Sequence, residues 1–190
     1  MDARKTVGFA LCGSFCTHSQ AIEQMERLGK QYHILPVMSQ NAFETDTRFG
    51  KAADLIRRAE EISGKRVLHT IVDTEPIGPK GLVDVMAVCP CTGNTLSKIA
   101  NGITDTSVTM AVKSSLRIGI PVVLCVASND SLGASGQNIA RLMNTKNVFF
   151  VPMRQDDPVK KPLSLVADFS ALEKSVEAAL EKRQLQPVFC

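Results

Sequence analysis

The amino-acid sequence predicts a three-layer, doubly wound α/β fold built on a mainly parallel sheet. Short apolar runs alternate along the chain with longer segments whose apolar residues recur at helical spacing. Strands that alternate with helices form βαβ units, and these units build parallel sheets with helices on both faces. The 190 residues, 44% hydrophobic and 22% charged, suit one compact domain spanning residues 1–190. The expected architecture is therefore flavodoxin-like or Rossmann-like.

Apolar runs predict the strands of this sheet, and helical spacing predicts the crossovers. The predicted strands cover residues 6–11, 33–38, 66–69, 83–88, 122–126 and 148–151. Crossover helices are predicted over 19–28 and 51–62. From residue 153 the chain becomes polar and proline-bearing, which leaves open a lid, a partner-facing arm or a plain surface loop. Residues 153–190 are thus expected to form a polar arm and a last helix over about 170–182.

The charge pattern and the opening residues argue against two classes of partner. The net charge of +3 comes from 22 basic and 19 acidic residues that are scattered along the chain. A nucleic-acid groove needs clustered lysine and arginine, so nucleic acid is not an expected partner. The segment from Met1 to Lys5 leads into an apolar run too short for a signal peptide or a membrane span. The expected location is the cytoplasm.

The six cysteines are expected to be reduced thiols rather than a disulfide framework. Cys12 and Cys16 form one close pair, and Cys89 and Cys91 form another. Neither pair is matched by a second pair or by histidines at zinc spacing, so no metal site is predicted. Most of these thiols lie in apolar strands, where cysteine acts as a small hydrophobe.

The first predicted strand runs into Cys12-Gly13-Ser14-Phe15, a glycine and a hydroxyl at a strand-to-helix turn. Doubly wound sheets bind ligands at the carboxyl ends of their strands, where backbone N–H groups can hold a phosphate. The segment lacks both the G-x-G-x-x-G fingerprint and the P-loop lysine, so it predicts neither a dinucleotide site nor an ATP-hydrolysis site. A simple helix cap remains an equal alternative.

Two further strand ends carry polar residues. Ser39 follows the second strand, as either a helix cap or a ligand contact. Residues 92–95, Thr-Gly-Asn-Thr, precede an amphipathic segment over 96–103. One cap needs a single residue of this kind, so four in succession favour an anionic or polar ligand at this helix start.

A longer block of sequence includes this helix start. Residues 90–105, P-C-T-G-N-T-L-S-K-I-A-N-G-I-T-D, closely resemble the P-A-S-A-N-T-x-x-K-x-A-x-G-x-x-D block of the flavoprotein family. That family includes flavin-dependent peptidyl-cysteine and phosphopantothenoylcysteine decarboxylases and the flavin prenyltransferases. The resemblance extends over roughly residues 6–150.

The resemblance implies an FMN site, or a site that holds only a phosphate. Glycine and serine of the first loop would meet the phosphate, and the residues of the 92–95 segment would bind phosphate and ribityl oxygens. The residues that the resemblance assigns to the cofactor are Gly13, Ser14, Phe15, Ser39, Thr92, Gly93, Asn94, Thr95 and Asn129. The Ala127-Ser128 that precedes Asn129 departs from the family's P-A-M-N wording.

Within the family, the whole arrangement is similar to one component of a two-component synthase of spore-forming bacteria. This similarity rests on Gly64-Lys65-Arg66 in mid-chain and on the tail after Pro152. It implies oxidation of a small dicarboxylate, with NADP or NAD on the other component. It also implies a homo-oligomer, for which helix 108–118 is a candidate interface. The alternative is a non-catalytic component that binds a nucleotide or phosphate and stabilises or regulates its partner.

One position departs from the decarboxylating relatives. They carry a histidine 14 residues before the proline of the block, and in this chain that position is Pro76. His69 lies seven residues too early and is expected to be a satisfied structural histidine. His18 is expected to cap or line the first loop, and His33 to lie in a strand. Without a dinucleotide fingerprint or that histidine, the chain is expected to act only with its partner.

Overall fold

The computed structural model describes residues 4–190, so Met1, Asp2 and Ala3 lie outside it. Across the described residues, seven strands form one mixed sheet. The strands are β1 (Thr6–Leu11), β2 (His33–Met38), β3 (Val85–Cys91), β4 (Val122–Ser128), β5 (Val148–Phe150), β6 (Met153–Arg154) and β7 (Leu165–Ala167). Their order is β2-β1-β3-β4-β7-β6, and β5 also pairs with β4.

The centre of the sheet is parallel. β1 pairs with β2 and β3, and β4 pairs with β3 and β5, in parallel register. Only β7 and β6 are antiparallel, and they extend the sheet from the carboxyl end of β4. Every residue of β3 is buried, as expected for a strand that is covered on both faces. The doubly wound α/β fold predicted from the sequence is confirmed.

Helices pack on both faces of the sheet. They are α1 (His18–Gly29), α2 (Gln40–Glu44), α3 (Ala52–Ser63), α4 (Ile71–Thr74), α5 (Gly93–Ala100), α6 (Ser107–Arg117), α7 (Gly136–Met143) and α8 (Leu172–Leu180). α1 packs beside α3 and α8, whereas α6 packs beside α4 and α5. Each long crossover helix buries its apolar positions and exposes charged ones, which is the pattern from which the crossovers were predicted.

The strand predicted over residues 66–69 is wrong. Leu68 alone bridges Val37 of β2, and its N–H and C=O bond Pro36 and Met38 at 2.9 Å each. The next residue, His69, turns its backbone N–H toward the Asp73 carboxylate at 3.4 Å. The chain therefore leaves the sheet after one residue pair because a capped helical turn, α4, begins there.

The segment predicted as a polar arm contains β6 and β7, which the sequence reasoning missed. These strands have two and three residues, too few to show an alternating pattern. The loop between them lies against the loop that follows β4, because the Leu132 N–H donates to the Leu163 carbonyl at 2.8 Å. The last helix lies within the predicted range. Among residues 4–190, every helix is too short or too polar to cross a lipid bilayer.

Candidate cofactor site

The sheet reverses its winding between β1 and β3. From β1 the chain crosses to β2 on one side, and it later returns to β3 on the other side of β1. In doubly wound folds the crevice outside the carboxyl ends of the strands at such a switch point is the usual ligand site. The two loops that meet there are the one after β1, residues 12–17, and the one after β3, which begins α5.

Gly13 in the first loop has no packing reason to be glycine. Its φ lies outside the left-handed region, and a β-carbon added there would have the Asn41 Cβ, at 3.5 Å, as its nearest neighbour. That distance is an ordinary contact, so an alanine would fit the folded chain. A glycine at a strand end that the protein itself does not need is typical of a backbone approached closely by a ligand.

Ser14 precedes a short 3-10 turn, Phe15–Thr17, without capping it through its side chain. Its carbonyl accepts from the Thr17 N–H at 3.0 Å and from the Thr17 hydroxyl at 2.8 Å, while its own hydroxyl has no partner among residues 4–190. The cap alternative for Ser14 is therefore wrong. Its hydroxyl and the half-buried Phe15 ring are left for another contact.

His18 holds this loop in place through a side-chain hydrogen bond. The sequence had left open whether His18 caps the loop or lines it. Its Nε2 donates to the Cys12 carbonyl at 2.7 Å, and its ring meets Phe15 edge-on with centroids 5.4 Å apart. Burial lowers the pKa of His18, and the bond to Cys12 opposes that effect only in part. The neutral Nε2–H imidazole is thus the form that holds the loop at neutral pH.

Ser39 lies at the carboxyl end of β2, and its N–H donates to the Leu11 carbonyl of β1 at 2.9 Å. Its hydroxyl caps α2 by accepting from the Ala42 N–H at 3.3 Å. The cap interpretation of Ser39 is confirmed. Its backbone bond to Leu11 also places Ser39 beside the carboxyl end of β1.

Thr92 and Thr95 join the two loops of the switch point. The Thr92 hydroxyl caps α5, accepting from the Thr95 N–H at 3.2 Å and donating to the Thr95 Oγ1 at 3.1 Å. The Thr95 hydroxyl then donates to the Cys12 Sγ at 3.3 Å. Burial raises the pKa of Cys12 to about 11, so the sulfur stays a neutral thiol at the end of this chain of bonds.

Gly93, in contrast with Gly13, is required by packing. A β-carbon there would lie 2.7 Å from the Ser128 Oγ and 3.1 Å from the Ser135 Oγ. Both serines belong to the segment that begins at the end of β4 and leads to α7. The glycine therefore allows the start of α5 to approach the end of β4 closely.

Asn94 faces a polar cleft of about 390 Å³ between the starts of α5 and α7. Gly93 and Asn94 line it together with Asp130, Ser135 and Arg141. Phe15 faces a different cleft of about 250 Å³, bordered by α1 and the segment between α2 and α3. Asn129 is exposed in the turn after β4. The assigned residues thus follow β1, β2, β3 and β4 along one edge, on two clefts.

The second half of the 90–105 block has a structural role. The Lys98 Nζ bonds both oxygens of Asp105, at 2.9 and 2.8 Å, across the turn that ends α5. Gly102 within that turn has φ +69°, where glycine is favoured. Lys98 also lowers the pKa of Asp105, mainly through its hydrogen bond. The lysine, glycine and aspartate of the block close the helix rather than touch the crevice.

Neither the decarboxylase position nor its nearest histidine belongs to the two switch-point loops. Pro76 lies in a short 3-10 turn, Glu75–Ile77. His69 stacks on Phe43 with centroids 3.8 Å apart, and its Nδ1 lies 3.9 Å from the Asp73 Oδ2. That Nδ1 is buried without a hydrogen-bond partner, so the expectation of a satisfied histidine is wrong. His33 lies in β2 as predicted.

Sequence reasoning missed three residues that shape this edge. The buried Ser107 hydroxyl at the start of α6 donates to the Met38 carbonyl at 2.6 Å. Arg141 donates to the Ala100 carbonyl and to the Asn101 side chain, which fixes its position beside the α5–α7 cleft. Asp130 lies across that cleft. No signal in one sequence distinguishes these residues, because each lies in an ordinary polar helix start or loop.

The sequence profile of the Flavoprotein family matches residues 1–179, and the chain belongs to that family. The chain is also 45% identical, over 185 residues, to the B subunit of dipicolinate synthase of Bacillus subtilis (strain 168). This match covers 97% of the present chain and 92% of the relative.

Solved structures agree with this assignment. The B subunit of dipicolinate synthase from Bacillus halodurans C superposes with a TM-score of 0.91 at 44% identity, covering 100% of this chain and 98% of that one. A dodecameric FMN-dependent Ubix-like decarboxylase from Escherichia coli O157:H7 superposes with a TM-score of 0.61 at 18% identity, covering 77% and 79%. At that identity the second similarity concerns the fold alone.

Proposed function

We propose that this chain is a flavin-binding component of dipicolinate synthase that supports the oxidation of dihydrodipicolinate to dipicolinate for spore formation. The observation that carries the proposal is a pair of unused groups, one backbone and one hydroxyl, at the β1–β3 switch point. The chain that carries them is similar to the B subunit of that synthase over 97% of its length. Gly13 leaves its backbone open and Ser14 leaves its hydroxyl unused. This arrangement fits a mononucleotide phosphate.

In this proposal the two loops divide the cofactor between them. The backbone of Gly13 and the hydroxyls of Ser14 and Ser39 hold the phosphate, and Phe15 packs beside it. The α5 start adds N–H groups that have no partner within the helix, because the first turn of any helix leaves such groups free. Asn94 and Asn129 are exposed amides at the same edge and reach the ribityl or ring oxygens.

A bound flavin supplies an acceptor for the hydride that a dihydropyridine ring loses on oxidation. The chain's own groups orient that chemistry. The neutral His18 imidazole holds the Cys12 carbonyl, and the Thr92–Thr95–Cys12 bonds keep the two loops in contact. The raised pKa of Cys12 keeps its sulfur a neutral thiol, so Cys12 adds no negative charge beside the proposed phosphate position.

Partner dependence follows from what the switch point lacks. The chain carries no G-x-G-x-x-G fingerprint, and its decarboxylase position is Pro76, in a 3-10 turn that is not part of the switch-point loops. The proposal therefore assigns NADP or NAD to the A subunit of dipicolinate synthase, which would accompany this chain. The dicarboxylate substrate would react where the two proteins meet, in the cytoplasm.

The rival function is that of a non-catalytic component that binds a phosphate or nucleotide and stabilises the A subunit. The specific observation in its favour is the position of the histidines. His18 is bonded to a backbone carbonyl, and His69 is stacked on Phe43 at the β2 edge. One ring nitrogen of His18 is thus used to hold the β1 loop, and His69 is not part of either switch-point loop.

Homo-oligomer formation is part of the proposal, with helix 108–118 as the candidate interface. Most apolar residues of α6 pack into the core of this chain, so its apolar surface is confined to its C-terminal half. Beside it an apolar groove of about 430 Å³ is lined by Ile99, Ile103 and Leu116. Ile103 is 46% exposed and Ile118, at the end of α6, is 49% exposed. Light scattering at tens of micromolar tests self-association, and a strict monomer would contradict it.

The decisive experiment combines a visible spectrum with an anaerobic activity assay. The purified chain is reconstituted with FMN, and its flavin absorbance is followed after addition of dihydrodipicolinate. Dipicolinate formation with NADP or NAD is then measured for this chain, for the A subunit and for both together. Exclusion of air removes spontaneous oxidation of the substrate.

Flavin bleaching by substrate, together with dipicolinate formation only in the mixture, is the expected result. If the chain retains no flavin absorbance after free FMN is removed, while the mixture remains fully active, the accessory function would be established instead. Turnover by this chain alone at the rate of the mixture would contradict partner dependence.

A further inference from the structure

The polar cleft between α5 and α7 holds several groups that the proposed cofactor contacts leave unused. Its volume is about 390 Å³. The two helices lie side by side, because Gly93 at the start of α5 approaches Ser135 and the Ala100 carbonyl at its end accepts from Arg141. Of the residues that line the cleft, only Gly93 and Asn94 are also assigned to the cofactor. The rest of the cleft therefore needs an explanation of its own.

Asn138 of α7 is the most informative residue of this cleft. It is only 8% exposed, and its side-chain amide makes no hydrogen bond within residues 4–190. In that part of the chain the fully buried side-chain atoms without a partner are the Gln24 Oε1, the His69 Nδ1 and the Ser164 Oγ. The Asn138 amide is not among them, so its oxygen and its nitrogen both stay accessible from the cleft that the residue lines.

An unpaired amide is an unfavourable choice at this position of the helix. Asparagine has a lower helix propensity than leucine or alanine, and a mostly buried side chain gains more stability from apolar packing than from an amide without a partner. Polar groups that are buried to this extent are nearly always hydrogen-bonded. The Asn138 amide therefore indicates a partner that comes from outside the chain.

Two further groups face the cleft close to Asn138. Arg141 lies three residues further along α7 and thus on the same face of the helix. Its Nη1 donates to the Ala100 carbonyl at 3.2 Å and to the Asn101 Oδ1 at 2.8 Å. Both acceptors are neutral, and Arg141 makes no ion pair within residues 4–190, so its charge is fixed in place but not compensated. From α5, the half-buried Ser97 hydroxyl also lines the cleft, and it has no partner in the described chain.

Asp130 is the one carboxylate among the described residues that line the cleft, and it lies at the start of α7. It accepts from the Ala134 N–H at 3.3 Å and from the Ser135 hydroxyl at 3.5 Å. Arg141 lies six residues beyond Ser135, which is about 9 Å along a helix. The cleft thus has a carboxylate acceptor at one end and a cation near the other, with an unpaired amide and an unpaired hydroxyl in between.

We infer that this cleft binds a sugar phosphate in addition to the flavin. The phosphate meets Arg141, the Asn138 amide and the Ser97 hydroxyl, and a sugar hydroxyl donates to Asp130. Donors on both walls suit a tetrahedral phosphate, whose oxygens point to both sides, better than a planar carboxylate. The volume admits on the order of a dozen non-hydrogen atoms if each water-sized group takes about 30 Å³, which is about the size of a pentose phosphate.

Two sources carry this chemical group. One is a free pentose phosphate. The other is NADP, whose adenosine ribose bears a phosphate that NAD lacks. For NADP the inference rests on the proposed function, which assigns NADP or NAD to the partner subunit, and this chain would then contact the dinucleotide from its own side.

Titration calorimetry on the FMN-saturated chain tests the inference, because the flavin then fills the loop after β1. Ribose 5-phosphate, NADP and NAD are the probes, and ribose is the control. We expect ribose to bind at least about tenfold more weakly than ribose 5-phosphate, because it lacks the charge-assisted bonds. A preference for NADP over NAD that disappears in Arg141→Gln would support the inference with the dinucleotide as the source. Binding of ribose 5-phosphate that depends on Arg141, with equal affinities for NADP and NAD, would support it with a free sugar phosphate as the source.

The variants separate the contacts within the cleft. Arg141→Gln is expected to weaken binding of ribose 5-phosphate about tenfold, and Arg141→Lys should weaken it less because the charge remains. Asn138→Leu removes the amide at a similar volume. It should weaken binding about fivefold without lowering the melting temperature, since the amide has no partner in the folded chain. Arg57→Gln removes an exposed arginine on α3 and is the matched control, with no change expected.

Failure of ribose 5-phosphate to bind at millimolar concentration would overturn the inference. So would unchanged affinity in both Arg141→Gln and Asn138→Leu. A large loss of stability in Asn138→Leu would equally contradict it, because the amide would then be a structural group. If these variants weaken FMN binding as much as binding of ribose 5-phosphate, the cleft is part of the cofactor site and the inference is wrong.

Failure of the proposed function gives a different result. A chain that takes up no FMN at all contradicts that function, while the same titration of the flavin-free chain still decides the inference. The deciding measurement is then whether the affinity for ribose 5-phosphate depends on Arg141 and Asn138.

Discussion

The loop after β1 and the loop after β3 carry the same kinds of residue and use them differently. In the first, a β-carbon at Gly13 would make only ordinary contacts, the nearest at 3.5 Å, and the Ser14 hydroxyl has no partner among the described residues. In the second, Gly93 is enclosed by two serine hydroxyls, and both threonines are hydrogen-bonded to each other or to Cys12. A glycine beside a hydroxyl is open to a ligand in one loop and required by the fold in the other.

This contrast teaches how such a site is organised. A binding edge needs some groups that are free before the ligand arrives and others that hold the geometry, since a fully mobile edge would lose ordering entropy on binding. The β3 loop is held by hydrogen bonds between Thr92 and Thr95. The β1 loop is tied to it by the bond from the Thr95 hydroxyl to the Cys12 Sγ. Substitutions in the two loops should therefore separate stability from affinity.

The largest expected effect on stability is that of Gly93→Ala. The new methyl group would lie 2.7 Å from the Ser128 Oγ, so the start of α5 must move away from β4. We expect a loss of about 2 kcal/mol in the free energy of unfolding. Urea denaturation of the chain without cofactor measures it.

The double variant Gly93→Ala with Ser128→Ala is the matched control for that prediction. Removing the hydroxyl that the methyl group meets should restore more than half of the lost stability, since only the 3.1 Å approach to Ser135 remains tight. An unchanged midpoint in Gly93→Ala alone would show that the two loops do not differ as described.

Gly13→Ala is expected to leave stability unchanged and to lower the affinity for FMN, the opposite of what is expected at Gly93. Its methyl group meets no atom closer than 3.5 Å, and the backbone φ suits any residue, so the free energy of unfolding should stay within about 0.5 kcal/mol. The affinity for FMN should fall about tenfold, equivalent to about 1.4 kcal/mol, because the methyl group occupies space that the phosphate needs. Quenching of flavin fluorescence measures that affinity. Equal FMN affinity in both proteins would place the phosphate elsewhere.

The fold could be predicted from the sequence to a large extent. The ranges predicted for the first two strands agree with the observed Thr6–Leu11 and His33–Met38, because each is a long apolar run bounded by polar residues. The strand predicted at 66–69 failed because a helical cap at Thr70 competes with the sheet for the same backbone. β6 and β7 were missed because their pairing is decided by contact with β4, which no local pattern encodes.

For the candidate site, the sequence could predict which residue types follow which strands, but not how much space surrounds each residue. Sequence reasoning placed Gly13 and Gly93 in the same role, because the space around a glycine depends on residues distant in the chain, here Asn41 and Ser128. It also gave Lys98 and Asp105 no role, although they close the end of α5.

Thr95→Val should have a smaller effect that again distinguishes the loops. The valine keeps the shape of a side chain that is 7% exposed but loses the hydroxyl that accepts from Thr92 and donates to Cys12. We expect a loss of about 1 kcal/mol in the free energy of unfolding.

Ser14→Ala removes a hydroxyl without a partner and should leave stability unchanged while weakening FMN binding. A destabilised Ser14→Ala variant would remove the distinction between the open loop and the anchored one.

The smallest expected effect is the pH dependence contributed by His18. Burial lowers the pKa of this imidazole in the folded chain, whereas the unfolded chain keeps an ordinary pKa of about 6.5. Between those two values the unfolded state binds more protons than the folded state, so the free energy of unfolding falls as the pH drops below about 6.5. Well above that pH His18 is neutral in both the folded and the unfolded chain, and it no longer makes the free energy of unfolding depend on pH.

The variant His18→Gln isolates this contribution, because its side-chain amide can still donate to the Cys12 carbonyl but does not titrate. Urea unfolding of both proteins at pH 7.5, 6.5 and 5.5 should show that the wild type loses about 0.5 kcal/mol more than the variant across that range. Parallel pH profiles for the two proteins would mean that folding does not lower the pKa of His18, so that the ring is protonated as readily in the folded chain as in the unfolded one. The neutral imidazole would then be the wrong description of the support beneath Gly13 and Ser14.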